Sequence, residues 1–148
     1  MSRLLSKSFE RVCVYTSVIL DDFSYSREHI VPLRRLKTAE ARAELHNVWP
    51  CNMGLNIQRS SHRFGDGDEM SIQHKHKVFV PPCTEARGLI ARTCLYMQNQ
   101  FNVDLRHVID QEVLDAWLEQ YPTPSPYENR HYAYVEFFGK KSAVEKDL

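Results

Sequence analysis

Arg27-Glu28-His29-Ile30-Val31-Pro32 and Asn56-Ile57-Gln58-Arg59-Ser60-Ser61-His62-Arg63-Phe64-Gly65 bracket the stretch that decides the reading of this chain, with Leu45-His46-Asn47-Val48-Trp49-Pro50 between them. They gather a carboxylate, an imidazole, a carboxamide and several guanidiniums in one short span. That is the toolkit for metal-assisted phosphodiester hydrolysis, which needs a base to deprotonate water, a cation for the charge that builds on phosphate, and help for the departing oxygen. His29 suits the base, because an imidazole with a pKa of about 6.5 is largely neutral at pH 7. Glu28, adjacent in an extended segment, points to the other side of it. One carboxylate and one carboxamide make a hard oxygen site that suits Mg²⁺, with Mn²⁺ or Ca²⁺ as substitutes, and Asn56 is the candidate second ligand. Each residue also has a plain structural reading: Asn56 as a backbone bridge, Arg59 as a partner of Glu44.

Around this stretch the pattern is mixed. Residues 11–20 alternate β-branched and other side chains, with Val12, Val14, Thr16, Val18 and Leu20 on one side, and predict a strand. His29 to Val31 predict a second extended piece ahead of Pro32. Residues 36–46 predict a short helix with Thr38 as N-cap. From Asn47 the pattern predicts entry into a further helix, with Met53, Asn56, Ile57 and Ser60 on one inward face. Phe64 to Glu69 read as an exposed turn, and His74-Lys75-His76-Lys77 as surface.

The second half predicts three helices: Thr84 to Phe101 with Thr84 as cap, Asp110 to Tyr121, and one opened by the capping box Ser125-Pro126-Tyr127-Glu128. Leu89, Ile90, Thr93, Cys94, Met97 and Phe101 form the first apolar stripe. The last helix is expected to bury Tyr127, Tyr134, Val135 and Phe138, to end near Gly139 and to be followed by a fraying charged tail at about residues 140–148. The expected fold class is α+β, a ββα finger of short strands plus a catalytic helix at about residues 25–65, with a mainly helical C-terminal half in one domain.

With 148 residues, 43% hydrophobic, the chain suffices for one sizeable core. Its 19 basic and 19 acidic residues cancel, so nucleic-acid contact has to come from local charge, for which Arg27, Arg34, Arg35, Arg42 and Arg63 are the candidates. The four cysteines lack C-x-x-C spacing, and the N-terminus lacks the apolar region of a signal peptide. An intracellular, reduced setting is therefore expected, and no apolar run reaches the roughly 20 residues that span a bilayer.

The ordered set Arg-Glu-His-Ile-Val-Pro, Leu45-His46-Asn47-Val48-Trp49-Pro50 and Asn56-x-x-Arg59-Ser60-Ser61-x-x-Phe64-Gly65 resembles the endonuclease I family of ββα-metal (His-Me finger) nucleases. Tyr15-Thr16 before it, then Phe79-x-Pro81-Pro82, Arg87-Gly88-x-x-Ala91-Arg92-x-x-x-Tyr96-Met97, Leu114-x-x-Trp117 and Tyr121-Pro122 after it, extend the likeness from about residue 12 to residue 139. Glu44 stands where the family has aspartate, and Ser61 where it has asparagine. The resemblance implies His29 as general base, Glu28 and Asn56 as ligands of one divalent metal, Asn47 as the residue that holds the hairpin and orients the base, and an arginine on the pentacoordinate phosphate. Arg59 occupies the matching motif, and Arg34, Arg35 and Arg42 are alternatives. It further implies a DNA endonuclease with little sequence specificity that also accepts RNA and leaves 5′-phosphates, as befits contacts to the phosphate backbone. Such an enzyme inside a cell needs restraint, for which an inhibitor or regulatory partner is one means. Two rivals stand beside it: a nucleic-acid-binding protein of the same fold without turnover, and a zinc module drawing on His46, His62, His74, His76, Cys51, Cys83 and Cys94.

Overall fold

Val48-Trp49-Pro50 sets the middle of the fold. Val48 and Trp49 favour extended backbone, and the ring of Pro50 bars Trp49 from the helical region and removes a helical donor. The computed structural model of the chain, which describes residues 11–21, 23, 25–67 and 78–146 with side chains to residue 139, has strand β2 here, Val48–Asn52. It pairs antiparallel with β1, Tyr25–His29, in a register running from Tyr25↔Asn52 to His29↔Val48. The Pro50 carbonyl turns away from β1 and accepts the Val14 amide at 2.9 Å. Its ring nitrogen faces the same way, so the missing N–H costs no bond to β1.

Between the strands lie a 3-10 turn at Leu33–Arg35, the single-turn helix α1, Ala39–Arg42, and a second 3-10 turn at Leu45–Asn47. Thr38 caps α1 as its sequence predicts, its hydroxyl accepting the Ala41 amide at 3.1 Å. The helix expected from Asn47 starts later, as α2, Met53–Arg59, because Asn52 rather than Asn47 supplies the cap and accepts the Leu55 amide at 3.1 Å. β1, β2 and α2 are the expected ββα unit. The face carrying Met53, Asn56, Ile57 and Ser60 is, however, largely outward, with Met53 45% and Ile57 73% exposed. What α2 turns inward is Arg59, whose guanidinium anchors it to the strand.

Residues 11–20 do not form the expected strand. Cys13, Val14 and Tyr15 are buried in succession, Ser17 reverses the chain with φ 61°, and Val12 bridges Ile19. A strand buries alternate residues, whereas here three consecutive ones meet the core and Val18 and Ile19 lie on the surface. Two short strands, β3 at Arg63–Phe64 and β4 at Val78–Phe79, pair in parallel and lead into the helical half.

Helix α3, Glu85–Phe101, buries Leu89, Ile90, Thr93, Cys94 and Met97, as the apolar stripe requires. Thr84 adopts helical backbone and makes no side-chain cap bond, so its expected role is not seen. Helix α4, Gln111–Gln120, packs on α3 through Val113, Leu114 and Trp117. Gly88 lets the chain leaving α4 cross α3, since a Cβ there would lie 2.5 Å from that of Tyr121.

Helix α5 runs Pro126–Lys146, through Gly139 and into the expected tail. Gly139 has no positive φ, and without that backbone glycine does not end a helix. Ser125 caps α5 by accepting the Glu128 amide at 3.1 Å. Glu128 does not reach back as a capping box would: it is buried, takes two 2.6 Å bonds from Arg92 and accepts from the Tyr132 hydroxyl. Val135 is buried, whereas Tyr134 is exposed rather than in the core. The mixed architecture, short strands in two small sheets followed by helices, is α+β. Among the described residues no helix is long and apolar enough to cross a membrane, and Cys13, Cys51, Cys83 and Cys94 are free thiols.

Candidate active site

The centre of the ββα unit is a buried guanidinium. Arg59, with 0% exposure, donates from Nη1 to the His29 carbonyl at 3.0 Å, from Nη2 to the Ile30 carbonyl at 2.9 Å and from Nε to the His62 carbonyl at 3.0 Å. Its Nη1 also lies 3.4 Å from Glu28 Oε2, and its Cζ sits 4.1 Å above the Phe64 ring. A group so enclosed stabilises the place where the chain turns after His29, and no donor of it faces solvent. Its ionic partner is therefore Glu28 and not Glu44, which instead meets His46 Nδ1 at 2.5 Å.

Asn47 closes the same turn from the other side. Its Oδ1 accepts the Val31 amide at 2.8 Å, its Nδ2 donates to the Val31 carbonyl at 2.9 Å, and its own carbonyl accepts the Ile30 amide at 3.0 Å. The residues after His29 are thus fixed by Asn47 and Arg59 together.

Glu28 and His29 leave β1 on opposite sides, as adjacent strand residues must. Glu28 is 4% exposed and accepts the Tyr15 hydroxyl at 2.8 Å. Burial pushes its carboxyl above the usual carboxylate range, against the pull of Arg59 and the Tyr15 bond. His29 is half-buried, and its pKa is lowered first by burial and then by the charges of Arg42 and Arg27. It is accordingly a neutral imidazole at pH 7. Asn56, half-buried at the edge of α2, donates from Nδ2 to Ser26 Oγ at 2.9 Å and to the Arg27 carbonyl at 3.1 Å. With Nδ2 tied to β1, no donor among the described residues reaches its Oδ1. That oxygen and the Glu28 carboxylate are hard donors, the kind that a divalent ion such as Mg²⁺ prefers.

The arginines divide into two groups. Arg27, Arg34 and Arg42 are exposed and Arg35 half-buried, while Arg63 donates to Asp110 Oδ1 at 2.6 Å and serves the junction with α4 rather than an open surface. Arg42 reaches the Leu33 carbonyl at 3.5 Å and is the cation that acts most on His29. The residues that sequence reasoning missed are Tyr15 and Ser26, which hold Glu28 and Asn56. The Tyr15-Thr16 pair was visible as a motif, but its partner in space was not. As for zinc, no three His, Cys, Asp or Glu side chains converge among the described residues, and His74 and His76 lie outside them.

The site is thus a ββα unit with a half-buried histidine on the first strand, a buried carboxylate next to it in sequence and a carboxamide on the helix. Residues 7–142 match the family described as Endonuclease I, and the chain belongs to that family. It is 29% identical over 92 residues to an extracellular deoxyribonuclease of Aeromonas hydrophila, covering 56% of this chain and 40% of that one. It is 31% identical over 88 residues to a periplasmic deoxyribonuclease of the same organism, covering 53% and 37%. Against Endonuclease-1 of Buchnera aphidicola subsp. Acyrthosiphon pisum it is 30% identical over 95 residues, covering 58% and 37%. The matched segments thus span about two fifths of these relatives' length. Two of them are named for places outside the cytoplasm, which bears against the intracellular setting expected from the N-terminal sequence.

Proposed function

We propose that the chain is a divalent-metal-dependent endonuclease that hydrolyses phosphodiesters in DNA, and in RNA as well, with little sequence preference. The observation that carries this reading is the placement of His29, half-buried and neutral, next to a turn locked by Asn47 and Arg59, with Glu28 preceding it in β1 and the Asn56 carboxamide tied to the same strand at Arg27. The names of the relatives, deoxyribonucleases, support DNA as the substrate.

In the proposed reaction His29 accepts a proton from water, the water oxygen bonds to phosphorus, and the bond from phosphorus to the 3′ oxygen breaks. The products are a 5′-phosphate and a 3′ oxyanion, which takes a proton from solvent to become the 3′-hydroxyl. Glu28 and Asn56 would hold the divalent ion, which supplies positive charge for the phosphate and the departing oxygen. Tyr15 fixes the Glu28 carboxylate, and Asn47 holds the base on its turn. Arg42 is the cation that meets the phosphate, because it is exposed and acts on His29 while Arg59 is spent on backbone carbonyls. Arg27, whose charge also acts on His29, is a second cation.

One observation favours binding without turnover: Glu28 is 4% exposed and already engaged by Tyr15 and Arg59. Incubation of supercoiled plasmid with the protein, with Mg²⁺ or Mn²⁺ and with chelator, separates the two readings. The nuclease nicks and linearises it only with metal, and its ends accept a ligase without prior phosphorylation. Uncut plasmid and uncut RNA under every metal would leave the binding protein.

A further inference from the structure

Among the described residues, Arg34, Arg35 and Lys37 are basic side chains to which the proposed reaction gives no part. The 3-10 turn Leu33–Arg35 and the start of α1 face the C-terminal end of α3 and residues 103–107 across a groove of about 170 Å³. Arg34, Arg35 and Lys37 line one wall, and Asn102, Asp104 and His107 the other. The single acid among these six is already neutralised: Asp104 takes bonds of 2.9 and 2.7 Å from Arg106. In a chain of 19 basic and 19 acidic residues, such a surplus is a local arrangement and no by-product of overall charge. The turn that carries these arginines also touches a cation of the candidate site, since Arg42 bonds the carbonyl of Leu33, the residue before Arg34.

We infer that this groove is a second, non-catalytic subsite that holds a backbone phosphate of the nucleic acid away from the scissile bond. The inference rests on the nuclease reading for its ligand and adds to it a contact from the helical half. Concavity separates it from an ordinary solvated face, because its two walls come from segments far apart in sequence and would grip one phosphate between them. Phosphate contacts of this kind carry affinity without base information. The subsite therefore anchors long substrates and is idle for small diesters.

The test uses Lys37→Glu on one wall and Asn102→Asp on the other. Aspartate tolerates the left-handed backbone of Asn102, φ 54°. Binding to a labelled duplex is read by anisotropy with the metal chelated, and hydrolysis of bis-p-nitrophenyl phosphate is read with metal. Each variant is expected to weaken duplex binding about tenfold and to flatten its dependence on salt, with unchanged hydrolysis of the small diester. Lys37→Arg should bind as the parent does. Unchanged duplex binding in both charge variants overturns the subsite, and so does equally weak binding by Lys37→Arg, which would make the effect one of shape. Parent protein that binds duplex but cuts no nucleic acid sinks the nuclease reading alone; parent protein that cuts, with variants that bind equally well, sinks the subsite alone.

Discussion

Asn47 grips Val31 by both ends of its carboxamide, accepting the amide at 2.8 Å and donating to the carbonyl at 2.9 Å. The pair ties the second 3-10 turn to the residues after His29, so the position of His29 depends on a residue that is itself fully buried. Asn47→Ala leaves two buried backbone groups unpaired and is expected to cost about 2–4 kcal/mol. The same change lets the turn drift and should lower kcat about a hundredfold, as misplacement of a catalytic group does. Urea denaturation and plasmid cleavage measure the two effects; a variant as stable and as active as the parent would remove Asn47 from the account.

Arg59 and Arg42 are expected to fail in different ways. Arg59→Ala strands the Glu28 carboxylate and three carbonyls in the interior and should destabilise by about 3–5 kcal/mol. Lysine does not restore it, because an ammonium lacks the fork that reaches three carbonyls at once. Arg42→Ala, at an exposed position, should change stability by less than about 0.5 kcal/mol. Its loss should instead reduce kcat by roughly 10²-fold, the scale of one transition-state contact. Thermal melts beside initial rates decide it: a stable, inactive Arg59→Ala would return the phosphate role to Arg59.

How much of this was legible in sequence follows from the reach of each signal. Thr38 as a cap, the stripe Leu89, Ile90, Cys94 and Met97, and the ordered Arg-Glu-His and Asn-x-x-Arg boxes are local patterns, and they were readable. Pro50 was readable too, as a helix breaker, but the helical spacing of Met53, Asn56 and Ile57 beyond it drew the predicted helix back to Asn47. Its inward face was misassigned for a related reason: periodicity finds a face without saying which side the core is on, and α2 is held by one polar anchor, Arg59. Tyr15 to Glu28, and Arg92 to Glu128, join residues far apart in the chain. A capping box at Glu128 fits the local rule, yet a half-buried arginine from another helix competes more strongly for a buried carboxylate than one backbone amide.

His131 gives stability a pH dependence. It stacks on Trp49 with ring centroids 3.7 Å apart, and burial pushes its pKa down to about 4, partly opposed by a bond to the Leu45 backbone. Unfolded, the imidazole titrates near 6.5, so below that pH the unfolded chain binds a proton that the folded one refuses. The contribution is present above pH about 6.5 and lost as pH falls through 4, on the order of 3 kcal/mol in total. His131→Phe keeps the stack and should flatten this stretch of the curve. A curve for the variant as steep as the parent's would assign the titration to another group.

Gly88 is a packing requirement. With a Cβ only 2.5 Å from that of Tyr121 and 3.0 Å from the Tyr121 carbonyl, alanine forces α3 and the end of α4 apart. Gly88→Ala should destabilise by about 1–3 kcal/mol, although alanine has the better helix propensity. A gain in melting temperature would mean that the two segments give way freely.

The central claim is that His29 is the base of a metal-dependent nuclease, and its most direct test is supercoiled-plasmid cleavage by parent and His29→Ala side by side, with Mg²⁺ and with chelator. The account predicts cleavage by the parent that chelator abolishes, and loss of cleavage in His29→Ala with its melt and duplex binding retained. Cleavage by a folded His29→Ala at the parental rate would contradict it.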